Sequence, residues 1–198
     1  MHRPRAPRLV VPPALASAAL AVAACASSPA PRAAINDQPA ANLTTTRVDL
    51  PQGSIEIQHA LNATGGLETP VPASAAHAFT LLPGIYEALA IPVNMVESGA
   101  RTLGARDARA PRRLAREPLS RYLECGTDAT GSPRADAYAV LLTAVSRVTP
   151  ATDSGSAVVT QVSATARPPS TSGAPVRCTS KGRLEQAING ALVVRARR

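Results

Sequence analysis

The chain of 198 residues has no tryptophan, one phenylalanine and three tyrosines. With so few aromatic anchors, the core must be built from aliphatic and small side chains. Much of the 45% apolar content is alanine, so that core is small and gains from a covalent staple. Lysine is nearly missing as well: Lys181 is the only one among 21 basic residues. Neither His59 nor His77 has a second ligand four residues on, and no CxxC pair exists, so no metal site is predicted. No G-x-S-x-G elbow marks a nucleophile, Thr64-Gly65-Gly66 does not make a phosphate loop, and Asp136 and Glu97 have no readable pairing. The sequence thus offers no catalytic constellation and implies no cofactor.

What is present begins at the head of the chain. Arg3, Arg5 and Arg8 lie among the first eight residues, which carry no acid. An apolar run follows over residues 9–24, interrupted by Pro12-Pro13. This is the charged-then-apolar order of an export signal. The uninterrupted part, residues 14–24, falls short of the roughly 20 apolar residues that a membrane span needs. The run ends Val22-Ala23-Ala24-Cys25, which resembles the lipobox of bacterial lipoproteins. That resemblance implies a diacylglycerol thioether on Cys25, cleavage after Ala24 and acylation, as with palmitate, of the new amino terminus. It also implies a membrane partner through the lipid and a place in the cell envelope. Ala26, where a retention signal would carry Asp, points to the outer membrane and a domain facing the periplasm. The alternative is an ordinary signal cut at Ala21-Val22-Ala23, with an incidental cysteine. Losing the three signal arginines lowers the formal charge from +8 to +5. That value suits anionic head groups and an ordinary arginine-rich protein alike.

The expected organisation is a signal peptide over residues 1–24, a lipidated cysteine and flexible tether over 25–46, and one domain over 47–198. The tether is rich in Ala, Ser, Pro, Asn and Thr, with too little apolar surface to offset its ordering entropy. The domain reads as α+β, an antiparallel sheet packed against two helices. Alternation around Pro51-Gln52-Gly53 predicts a hairpin, and residues 67–72 a short extended entry. Ser74 caps a predicted helix to about Ala90, with Ala75, Phe79, Leu82, Tyr86 and Leu89 as its buried face. Pro83 either kinks that helix or splits it in two. Residues 91–96 read as a strand, with a return strand from Thr102. Residues 119–125 read as another, and 137–148 with 156–167 as a long hairpin. A last helix is predicted after a Ser180 cap, with Leu184, Ile188, Ala191 and Leu192 buried. The stretch from Tyr86 to Gly104 is similar to a pattern in envelope lipoproteins of the BamC kind, in which a helix ends in Leu-Gly-Ile, then a strand, a turn and a glycine-bearing return strand follow. Ala90 takes the place of that first glycine. The resemblance implies a helix-on-sheet domain and hints at envelope assembly.

Two further features carry chemistry. If Cys25 is lipidated, Cys125 and Cys178 remain, and a disulfide between them suits an oxidising compartment. Two free thiols or a metal pair is the other reading. Arg106, Arg109, Arg112, Arg113 and Arg116 crowd a segment with few acids. They form either a patch for an anionic partner, phosphate-bearing head groups or an acidic envelope protein, or a solvated loop. Nucleic acid is not expected, since the compartment lacks it and no aromatic is interleaved. Two functions remain open: a binding or scaffolding module, or a small periplasmic enzyme whose site only the fold would reveal.

Overall fold

The computed structural model describes residues 43–50, 53–151, 154–169 and 173–198. The signal segment, Cys25 and the tether as far as residue 42 lie outside the described residues. The domain is α+β, with a large antiparallel sheet. Along the chain come β1 (Leu43–Leu50), β2 (Gly53–Leu61), β3 (Leu67–Val71), α1 (Ala75–Ala88), β4 (Met95–Glu97) and β5 (Thr102–Arg109). Then come β6 (Arg113–Leu114), β7 (Glu117–Pro118), a 3-10 turn at Leu119–Arg121, β8 (Leu123–Glu124) and α2 (Arg134–Ala137). The chain ends with β9 (Ala139–Pro150), β10 (Ser156–Arg167), β11 (Val176–Ser180) and α3 (Arg183–Ala196).

The sheet order is β1-β2-β3-β10-β9-β5-β4, and β11 continues along the β10 edge that β3 begins. The β9–β10 hairpin pairs from Ser156 opposite Pro150 to Arg167 opposite Ala139. Its inward positions bury Val140, Leu142, Ala144, Val148, Val158, Ala164 and Ala166. The alanines keep that surface low, which lets α1 and α3 lie close over it with Tyr86 as the one fully buried aromatic among the described residues. Gly104 serves the same closeness between strands: a Cβ there would run into the Ala144 carbonyl oxygen, with Val145 Cα 2.8 Å away.

Several sequence expectations change. β1 starts at Leu43, so the last four residues assigned to the tether are strand, paired with β2. α1 is one helix through an exposed Pro83, whose missing donor falls on the solvent side. Ser74 caps it by accepting from the His77 backbone N–H at 3.3 Å. Its buried face is Ala75, Ala78, Leu82, Ile85 and Tyr86; Phe79 and Leu89 sit half-buried on its shoulder. The small Ala78 meets the sheet where the bulkier phenylalanine does not fit. Ile91 to Asn94 are not strand, because they serve the end of α1. Ile91 N donates to Tyr86 O at 2.9 Å and Ala90 N to Glu87 O at 2.9 Å, which is a Schellman motif with Ala90 left-handed at φ 57°. Of residues 119–125, Leu119–Arg121 form a 3-10 turn and only Leu123–Glu124 are strand: Leu119, Tyr122 and Leu123 are buried at a spacing of three and four, and alternation begins only at Leu123. β9 starts two residues late because α2 takes Arg134–Ala137. The cap of α3 is Gly182, left-handed at φ 74°, while the Ser180 hydroxyl accepts from its N–H at 3.0 Å. In the buried face of α3, Ala191 is only half-buried, and Glu185, Asn189, Gly190 and Val193 join Leu184, Ile188 and Leu192.

Candidate binding surfaces

Polar chemistry converges first in the core, between the sheet and the two long helices. His59 on β2, Thr69 on β3, Asn189 on α3, Thr160 on β10, Ser146 on β9 and Tyr86 on α1 are all fully buried. They form one hydrogen-bonded file. The Thr160 hydroxyl donates to Asn189 Oδ1 at 2.5 Å, so Ser146 must donate to Thr160 at 2.7 Å and Tyr86 to Ser146 at 2.9 Å. On its other side Asn189 Nδ2 donates to Leu67 O and to Thr69 Oγ1, both at 2.9 Å. The Thr69 hydroxyl and His59 Nδ1 lie 2.7 Å apart, and the His59 tautomer sets which of them donates. His59 Nε2 has no partner among the described residues. Burial lowers the His59 pKa and raises that of Tyr86. The layer is sealed on both sides, so no substrate reaches it. It unites four neighbouring inner strands, β2, β3, β10 and β9, and both long helices into one core.

The first turn of α3 adds a second buried ionisable group. Glu185 is 6% exposed, its Oε2 is unpartnered, and burial raises its pKa against the opposing pull of the Ser180 hydroxyl. His77, by contrast, lies exposed on α1. Among the described residues no group of three His, Cys, Asp or Glu could hold a metal.

The arginine segment occupies residues 106–116, leaving the sheet edge. Arg106 sits in a bulge where the β5–β9 register slips between Ala105 and Ala108. Asn94 clamps its backbone on both sides, accepting from Arg106 N at 2.7 Å and donating to Arg106 O at 2.8 Å. Arg109 ends β5, Arg112 reaches Asp136 O at 3.2 Å, and Arg113 reaches Arg116 O at 3.1 Å. The turn between β6 and β7 holds Ala115 at φ 47° and Arg116 at φ 70°. Two successive left-handed residues are glycine or asparagine geometry, so this turn is strained. All five arginines predicted for an anionic partner are exposed. Among the described residues none has a carboxylate within 4 Å. They follow a bulge, a strand end and a hairpin turn, rather than the plain loop that composition suggests.

Cys125 and Cys178 form a disulfide with an S–S distance of 2.01 Å. It ties the excursion between β5 and β9 to β11, beside the Thr179–Glu124 pairing and the Lys181 N–H donation to Tyr122 O at 2.9 Å.

A groove that sequence reading did not foresee runs between the β1–β2 hairpin and α3. Two contiguous cavities of about 480 and 620 Å³ share Leu50, Val194 and Arg198 in their walls. β1 is an edge strand, and α3 stops short of covering it, so Thr46, Val48 and Leu50 are only half-buried. No described helix is long and apolar enough to cross a membrane. Comparison of the chain with protein-family models, with curated proteins and with solved structures gives no match.

Proposed function

We propose that the protein is a lipid-anchored module of the bacterial cell envelope that binds or scaffolds an acidic envelope protein through Arg106, Arg109, Arg112, Arg113 and Arg116. The observation that carries this reading is the state of those guanidiniums: five cations, all exposed, none with a carboxylate within 4 Å among the described residues. An arginine with no acid beside it among the described residues is available for bidentate pairing with a carboxylate elsewhere. A solvated segment needs no strained turn, whereas here two left-handed residues hold Arg113 and Arg116 in place. The disulfide and the buried Leu114, Leu119 and Tyr122 keep the segment on the body.

The anchor in this proposal is the diacylglycerol on Cys25, supported by the lipobox residues Val22-Ala23-Ala24 before it. Ala26 supports the outer membrane, with the domain facing the periplasm. Acylation is tested by labelling cells with a fatty acid, where label should enter the wild type and not Cys25→Ala; equal labelling of both removes the anchor. Partner binding is tested by crosslinking in intact cells from a photoreactive residue at Ala110. An acidic envelope protein should be captured. Capture of lipid alone would assign the segment to head groups instead, and recovery of no envelope protein would defeat the scaffold.

A further inference from the structure

We infer that the groove between the β1–β2 hairpin and α3 is a binding site for a single-chain anionic amphiphile, an acyl chain bearing a carboxylate or phosphate. The groove is separate from the arginine segment and stands on different observations. Arg183, Ala187, Gly190, Ala191, Val194 and Arg198 recur along one side of α3 at helical spacing, so the groove follows the helix for most of its length. Fourteen residues of helix span about 21 Å, the reach of an extended acyl chain rather than of a compact solute. Each of its two cavities has a volume within the range of small-molecule sites.

The lining decides the class of occupant. Val48, Leu50 and Ile55 form the strand wall, and Ala187, Ala191 and Val194 the helix wall. Between the ends of the groove the polar side chains in the walls are Thr46, Ser54 and Gln186. Against walls of this kind a hydrocarbon chain brings no polar backbone groups of its own that need partners. The ends are cationic: Arg183 at one, and Arg195, Arg197 and Arg198 at the other. None of the four has a carboxylate within 4 Å among the described residues. The Arg195 guanidinium itself packs against Gly84 of α1, where a Cβ would stand 2.8 Å from Nη1, which leaves Arg197 and Arg198 as the exposed cations at that end. A mainly apolar groove with guanidiniums at its ends matches an amphiphile in shape and in charge.

The test is displacement of a fluorescent fatty acid from the purified full chain, with palmitate, lysophosphatidylglycerol, zwitterionic lysophosphatidylcholine and inorganic phosphate as competitors below their micelle concentrations. Both anionic amphiphiles should displace it. Lysophosphatidylcholine should compete about tenfold less well, a difference of roughly one charge-assisted contact. Ala191→Trp, which fills the channel, should abolish probe binding. Arg197→Glu with Arg198→Glu, at exposed positions, should weaken palmitate about tenfold without disturbing the fold. Replacing the five arginines of residues 106–116 should leave the titration unchanged, which separates this site from the proposed partner surface. Failure of both anionic amphiphiles to compete, equal competition by lysophosphatidylcholine, displacement by phosphate alone, or unchanged binding in Ala191→Trp would each overturn the assignment.

Discussion

The polar layer under the helices and the arginine segment at the sheet edge are both rich in hydrogen-bonding groups, and they are opposites. In the layer, His59, Thr69, Asn189, Thr160, Ser146 and Tyr86 are fully buried, and every polar atom but one is matched within the file. In the segment, five guanidiniums stand in solvent, and only Arg112 and Arg113 reach so much as a backbone carbonyl. Buried polar groups are tolerated only when satisfied, so the layer's pairing is the condition for its existence. Exposed cations need no partner to fold, so the segment's arginines contribute little to stability and remain free to bind. The difference assigns the layer to holding the fold together and leaves the segment available for the recognition proposed above.

Breaking that contrast begins with the covalent tie. The disulfide closes a loop with a separation of 53 residues, and Cys125→Ala with Cys178→Ala should lower unfolding free energy by about 4 kcal/mol in the chain-entropy model. Urea denaturation measures it, and hydrogen exchange should rise in residues 110–138 more than in β9 and β10. The next largest effect belongs to the hub of the layer. Asn189→Leu removes three hydrogen bonds and strands Thr69, Thr160 and Leu67 O, at a cost of about 3 kcal/mol by the same denaturation.

His59 makes the layer sensitive to acid. Its folded pKa is lowered by burial, so below the unfolded value of 6.5 the unfolded chain takes a proton that the folded chain resists. Stability from this group is full above that value and falls as pH drops from there toward the folded pKa. His59→Phe should flatten the dependence of the urea midpoint between neutral pH and mildly acidic pH. Glu185 acts in the opposite sense: burial raises its pKa, so its contribution is full below the unfolded value of 4.5 and is lost as pH rises from there through the folded pKa. Ala90→Gly sharpens the picture from the other side. Relieving a left-handed alanine should raise stability by about 1 kcal/mol, read as an increase in Tm.

Much of the architecture was legible because it depends on local periodicity. Alternation, with Val159 as its exception, marks β10 from Ser156 to Arg167, and Ser74 marks the start of α1. The cysteine pairing followed from treating Cys25 as lipidated. The polar layer was not foreseen, because its members lie on six separate elements and small polar residues are assigned to solvent by default. A signal existed all the same: Thr160 falls in phase with the buried Val158 and Ala164, and Ser146 with Ala144 and Val148. The strand expected at residues 91–96 is cut back to β4 at Met95–Glu97, because Ile91 plugs the helix end and Asn94 clamps the Arg106 bulge, both tertiary demands. The groove was beyond reach for a similar reason, since it depends on how far an edge strand overhangs α3. Arginine clustering was visible in the sequence; that the arginines lack acidic neighbours could be seen only once the segment was folded.

The most direct measurement replaces Arg106, Arg109, Arg112, Arg113 and Arg116 together by Ser and determines unfolding free energy and in-cell crosslinking for the same variant. Exposed substitutions of this kind should each change stability by less than about 0.5 kcal/mol. The account predicts a fold close to wild type in stability and the loss of the crosslinked envelope protein. Retained capture, or a fall in stability as large as that of Asn189→Leu, would contradict it.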